Sequence, residues 1–250
     1  MNKTTYSIFF LSLLFSQDHW ETAIFASDEW KYILPDEEPQ SNWNEISFDD
    51  ETWASSQGGF GYGDGDDGTV IEPTISVYFR KSFNVLDKSK LSSAILSADY
   101  DDGYIAYLNG IEISRSHNLS EPGTFVSFDE TTYYDHEASL YNEGIPENIF
   151  LDSLLLNSLL IDGENVLAVQ VHNVGINSSD MSGNFFLTFG ISDESEFYFP
   201  PPFWFQEPIV LGQFNLPIIM IDTYGAEIPD DPRIPAHMGI VNNQSGINHI

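Results

Sequence analysis

Three carboxylates sit within four residues of one another in "GYGDGDDGT" (Gly61 to Thr69), on a run broken by glycines. Hard divalent cations take oxygen ligands gathered in this way, so Asp64, Asp66 and Asp67 form a candidate calcium site. The run lacks the downstream glutamate and the full spacing of an EF-hand loop, so that motif does not apply. The same residues read first as a solvated turn in an acidic chain. A second acidic stretch, "DYDDGYIAYLNG" (Asp99 to Gly110), sits inside an alternating apolar run. Its acids read first as punctuation between two strands, since Asp side chains bond backbone amides in turns. The functional alternative puts Asp102 on a ligand rim or beside an ion.

"VHNVGINSSDM" places His172 and Asn173 at the end of an apolar alternation, with Asp180 beyond a polar loop. A histidine, an amide and a carboxylate near an aromatic ring are the groups that grip sugar hydroxyls, the ring covering the apolar sugar face. Against this, His172 can simply be satisfied by the neighbouring Ser178, Ser179 and Asp180. Arg115 and His117, just past an Asn-Gly turn, are further rim candidates. No catalytic constellation emerges: there is no cysteine, no nucleophile elbow and no lysine-bearing phosphate loop. "GGFGYG" has the look of a nucleotide loop, but no helix pattern follows it and the adjoining acids would repel phosphate. The histidines show no zinc-type spacing. No residue is therefore assigned covalent chemistry, and the chain is expected not to be an enzyme by itself.

The elements that must hold these residues are strands. "SVYFRKSFNV", "SAILSADY", "NVLAVQVHNV" and "NFFLTFGIS" are β-rich, and "YIAYLNGIEISR" reads as a hairpin closed at Asn109-Gly110. Only Ile149 to Leu160 offers helical spacing. Short strands at regular turn signals predict an all-β antiparallel sandwich, with a C-terminal β-hairpin appendage. Trp30, Trp43 and Trp53 are expected to include at least two core aromatics.

Composition narrows the partners. In 250 residues, 39 Asp and Glu face 8 Lys and Arg, a formal charge of -31. Phosphate neutralisation needs clustered basic side chains, which argues against nucleic acid and against an anionic membrane surface. The apolar run from Tyr6 to Phe15 is too short to span a bilayer and fits the core of a signal peptide over residues 1–17, with a buried strand as the alternative. Export to the medium or cell surface is the expectation. Without cysteine, stability must come from the core and a bound ion. The sandwich is expected over 22–192. A stiff linker follows over 193–214, marked by Pro200 to Pro202, with its flanking aromatics expected to pack it against a neighbour. Residues 215–250 read as a strand from Pro217 to Asp222, a turn at Tyr224-Gly225 and a strand near His237 to Val241, the opening of a second β domain.

Taken in order, "EWKYILPDEEPQSNWNEISFDDETWASSQGGFGYGDGDDGT", "YFRKSF", "DYDDGYIAYLNGIEISR", "DGENVLAVQVHN" and "SSDM" resemble the galactose-binding-domain-like jelly roll of secreted bacterial proteins. The acidic pair, glycine, strand and Tyr-Leu-Asn-Gly are similar to the sugar-binding sandwich of family-2-type glycosidases. They are similar too to the module that precedes the spore-coat protein H (CotH) kinase-like domain. "NLPIIMIDTYGAEIPDDPRIPAHMGIV" resembles the opening of that CotH-type region, whose kinase-like segment has no counterpart in this sequence. The resemblance implies a non-catalytic carbohydrate-binding module for a glycan or cell-surface polysaccharide, with one structural calcium. It also implies the alternative of a docking spacer for a downstream domain of the same protein.

Overall fold

Leu96, Ala98 and Tyr100 point to one side of their strand while Ser97, Asp99 and Asp101 point to the other, and this period-two alternation builds the molecule. The computed structural model describes residues 19–63, 65, 67–208, 213–214, 218–222, 237–241 and 248–249. The expected signal peptide over 1–17 lies outside them, as do Asp64 and Asp66 and the turn at Tyr224-Gly225.

The strands are β1 (His19–Ile24), β2 (Glu29–Ile33), β3 (Ala54–Gln57), β4 (Phe60–Tyr62), β5 (Thr69–Val70), β6 (Ser76–Val85), β7 (Leu91–Asp101), β8 (Gly103–Leu108), β9 (Ile111–Arg115), β10 (Glu147–Asp152), β11 (Gly163–His172) and β12 (Met181–Ile191). One sheet runs β10-β7-β12-β4-β5, with β1 also paired to β12. The other runs β3-β2-β6-β11-β8-β9. All pairings are antiparallel except β4 with β5. This is the all-β sandwich expected from the sequence. Its core lies between the sheets, where Tyr100, Phe185 and Phe189 meet Phe79, Tyr104 and Val169.

The hairpin between β8 and β9 turns at Asn109 and Gly110, both with positive φ (53° and 87°), as a tight primed turn requires. Trp30, Trp43 and Trp53 are all buried. Trp43 and Trp53 do not enter the central core; they cover Tyr78, Val166 and Ala168 on the outer face of the second sheet. Arg80 fixes that cover, donating to Asp50 at 2.8 Å and to the carbonyls of Trp43 and Glu45.

Two boundaries differ from the sequence reading. Residues 149–152 are strand, and the helix α1 spans only Ser153–Leu159. Asp152 explains the break: its carboxylate accepts the N–H of Leu155 at 2.9 Å and caps the helix there. Upstream, Ile149 and Leu151 face inward at strand period, opposite Leu96 and Ala94. The second difference concerns the expected linker. Thr22 and Phe199 exchange backbone bonds of 2.7 and 3.3 Å, Trp204 meets Phe186 edge-on at 4.9 Å, and Phe205 meets Trp20 at 5.6 Å. The first compact unit accordingly runs to Phe205. Proline stiffness here serves packing on the sandwich.

The second unit, Gln206–Ile250, contains β13 (Gln213–Phe214), β14 (Ile218–Asp222), β15 (His237–Val241) and β16 (Asn248–His249). The antiparallel pair β14–β15 matches the two strands expected there, and β13 pairs with β16. Among the described residues, no helix is long and apolar enough to cross a membrane.

Candidate functional site

The corner between β7 and β8 faces the end of β11 and the start of β12, and the long connection from Ser116 to Pro146 folds over it. Asp102 sits in the corner, after a cis Asp101–Asp102 peptide, with almost no exposed surface. Its two carboxylate oxygens accept the backbone N–H groups of His136 at 2.9 Å and Val174 at 2.6 Å. The reading of Asp102 as a rim ligand is thereby corrected: the side chain is buried and each of its oxygens ties a loop to the corner.

His172 and Asn173 need the same correction. His172 is fully buried, and its Nδ1 lies 2.8 Å from the Glu130 carbonyl. A carbonyl only accepts, so Nδ1 carries the proton and donates. Burial pulls the ring down to about 4, well below the usual histidine range, so it is neutral at physiological pH. Asn173, also fully buried, donates to the Tyr62 hydroxyl at 2.8 Å and to the Asp180 carbonyl at 3.2 Å. Neither side chain presents an atom to a ligand. Arg115 is likewise consumed. Its guanidinium forms a fork with Glu112, both bonds at 2.9 Å, and reaches the carbonyls of Ser120, Glu121 and Thr124. It holds the 116–124 loop, while His117 stays exposed.

These buried groups shape what remains on the surface. The segment 128–140 is pinned along its whole length. Ser76 holds the Phe128 carbonyl at 2.6 Å, His172 holds Glu130, and Thr132 N donates to the Asn173 carbonyl at 3.2 Å. Asn118 bonds both Tyr133 N and Tyr134 O, at 2.8 and 2.7 Å. Asp99 accepts from Ser139 N and Leu140 N at 2.6 and 3.1 Å. The His136 ring stacks on Tyr100 with centroids 4.2 Å apart. Between these anchors the rings of Tyr133 and Tyr134 stand outward, 66% and 54% exposed.

Glu137, on the same segment as the tyrosines, belongs to an acidic group that the sequence did not single out as a set. The coordinating oxygens of Asp101, Glu137 and Asp180 all lie within 4.8 Å of one another. Asp101 is buried, Asp180 half-buried and Glu137 exposed, so the group opens from the corner to solvent. Burial, then the charges of Asp102, Asp180 and Glu137, push the Asp101 carboxyl up to about 8. Such crowding is what a bound cation relieves. The donor set is all carboxylate oxygen, which suits a hard divalent ion and leaves room for water ligands. Of the three residues proposed for calcium from sequence, Asp67 is half-buried, with Oδ1 lying over Gly61, where a Cβ would meet it at 2.0 Å. It is not in the Asp101 group. Asp180 alone carries over from the sequence candidates. Asp101 and Glu137 are 36 residues apart in the numbering, and no local spacing connects them.

An antiparallel two-sheet β-sandwich with a loop-built, acidic and aromatic surface at one end is the class that fold and site define. In structure, the chain is similar to a calcium-binding mutant of Bacteroides uniformis beta-glucuronidase 2, at 17% identity and a TM-score of 0.42, over 69% of this chain and 18% of that one. It is also similar to an uncultured Clostridium sp. beta-glucuronidase, at 15% identity and a TM-score of 0.41, over 74% of this chain and 31% of that one. A glycosyl hydrolase family 2 member from Bacteroides cellulosilyticus gives 16% identity and a TM-score of 0.41, over 66% and 20%. The chain thus spans less than a third of the length of each of these proteins. No family model matches the chain, and no curated protein matches it by sequence.

Proposed function

We propose that this protein is a non-catalytic carbohydrate-binding module, exported and acting as an accessory to a further domain. The observation that carries the reading is the pair of exposed tyrosines, Tyr133 and Tyr134, on a segment that buried side chains hold rigid. Aromatic faces cover the apolar face of a sugar ring, and a pre-ordered platform loses little entropy on binding. The neighbouring Asp101, Glu137 and Asp180 group supplies acceptors for hydroxyls and, with calcium bound, a Lewis-acidic centre for them. Calcium is the ion its chemistry fits. The buried His172, Asn173, Asp102 and Arg115 act as frame. The resemblance of the motif order to galactose-binding-like modules agrees with this role.

Affinity electrophoresis of the full chain through gels containing soluble polysaccharides tests the reading. Retardation by at least one polysaccharide, lost in Tyr133→Ala/Tyr134→Ala with the melting temperature unchanged, is the expected result. Unretarded migration of a folded protein across the panel contradicts it. One observation favours a second reading, a docking spacer for a CotH-like or hydrolase domain. Phe199 and Phe203, flanking Pro200 to Pro202, are 70% and 100% exposed. Under that reading the tyrosine changes leave every measured interaction intact.

A further inference from the structure

On the outer face of the second sheet, three buried side-chain atoms find no hydrogen-bond partner among the described residues: His172 Nε2, Asn118 Oδ1 and the Tyr78 hydroxyl. All three residues are almost wholly buried, so surface solvent does not serve them. A buried polar group without a partner loses its hydration and gains nothing in return, which a folded chain rarely tolerates.

The chemistry of two of these atoms is fixed by their other bonds. His172 Nδ1 donates to the Glu130 carbonyl at 2.8 Å, so Nε2 carries only a lone pair. Asn118 donates through Nδ2 to the carbonyls of Asp102 and Tyr134, at 3.1 and 2.7 Å, so its remaining atom is the oxygen. Both are acceptors, and neither can serve the other. The Tyr78 hydroxyl has one proton to give. Arg115, whose charge reaches His172, has its N–H groups on Glu112 and on the 116–124 loop.

Strand register brings the three together. Tyr78 pairs with Gln170 and so lies diagonal to His172 on the same face, with the two rings 6.3 Å apart. On the other side of His172 its partner is Gly103 of β8, and a Cβ there would stand 3.0 Å from Asn118 Oδ1. Because Gly103 has no side chain, Asn118 comes down onto the sheet next to the His172 position. The chain above is closed by Thr132 N on the Asn173 carbonyl and Tyr133 N on the Asn118 carbonyl.

A ligand for this place must donate twice, accept once and fit a packed interior. Water meets all three conditions, and three bonds are the usual complement of a buried one. We infer that an internal water is bound beneath the 116–134 segment, donating to His172 Nε2 and Asn118 Oδ1 and accepting from the Tyr78 hydroxyl. It ties Asn118, which holds Tyr133 and Tyr134, to the sheet below. The water site stands whether or not that segment binds sugar.

A high-resolution crystal structure of the full chain, with Tyr78→Phe beside it, tests this. A solvent peak within about 3 Å of both Nε2 and Oδ1 is expected. The absence of a peak bridging the two, as when the Tyr78 hydroxyl bonds Nε2 directly, would overturn the inference. Tyr78→Phe takes one bond from the water, so it should lower the folding equilibrium constant about fivefold in urea unfolding, with the solvent peak retained. A hydroxyl that bonds nothing only costs the fold, so an unchanged or raised constant would also overturn the inference.

Discussion

Asp102 holds Val174 by a 2.6 Å bond from carboxylate to backbone N–H, joining the β7–β8 corner to the end of β11, 72 residues further along the chain. Its other oxygen reaches His136. One buried side chain therefore fixes three segments, and the surface carrying Tyr133, Tyr134 and Glu137 takes its shape from that fixture.

Removing the carboxylate should loosen the whole corner. Asp102→Ala takes the acceptor from the backbone N–H groups of His136 and Val174 and is expected to cost about 2–4 kcal/mol, with Asp102→Asn costing less because one acceptor remains. Urea midpoints at unchanged slope measure this. A cost near zero for the alanine change would mean the loops hold themselves.

His172 makes stability depend on pH in a defined direction. Its folded value of about 4 lies below the ordinary 6.5, so between these values the unfolded chain binds more protons. Stability from this group is present above pH 6.5 and is lost as pH falls toward 4, by up to about 3 kcal/mol. His172→Asn should flatten that part of the profile relative to the unaltered chain, as read by urea unfolding at pH 7 and pH 5. Parallel profiles for the two proteins would place the histidine in a wetter site.

Calcium should raise the melting temperature. At a free concentration near 100 times the dissociation constant the gain is about 2.7 kcal/mol, or roughly 5–10 °C for a chain of this size. EDTA should reverse it, and Asp101→Asn or Asp180→Asn should abolish it. A melt indifferent to calcium and EDTA removes the ion from the account of this corner.

The sandwich should need its proline-rich tail. A chain ended at Ser192 loses the packing of Phe197, Tyr198 and Trp204 and the N–H partners of Glu21, at an expected cost of about 3–5 kcal/mol. A chain ended at Phe205 should keep the stability. Equal urea midpoints for the two would make the segment a spacer after all.

What was legible in the sequence was local. Asn109-Gly110 demands a primed turn whatever surrounds it, and the apolar-rich runs in Leu91–Asp101, alternating from Leu96 onward, and in Gly163–His172, after a turn signal, read as strands. Ile149 misled because Ile149, Leu151 and the leucines after them fit two periods at once; the Asp152 cap decides where one ends. The site was less legible, for a tertiary reason. Polar residues at the end of β11 look like a ligand rim, yet the 128–140 segment closes over His172 and Asn173 and turns them into anchors. Nothing in the spacing of Asp101, Glu137 and Asp180 announces that three distant turns converge. The aromatics around Pro200 to Pro202 read as packing against a neighbour, but no spacing says that the neighbour is the sandwich itself, with Trp204 on Phe186 and Phe205 on Trp20.

The most direct measurement is a glycan-array screen of the full chain, run once in calcium and once in EDTA, with Tyr133→Ala/Tyr134→Ala beside it. The account expects selective binding to a set of related glycans, strongest in calcium and absent in the tyrosine variant. A blank array from folded, calcium-loaded protein, or binding that survives the loss of both tyrosines, would contradict it.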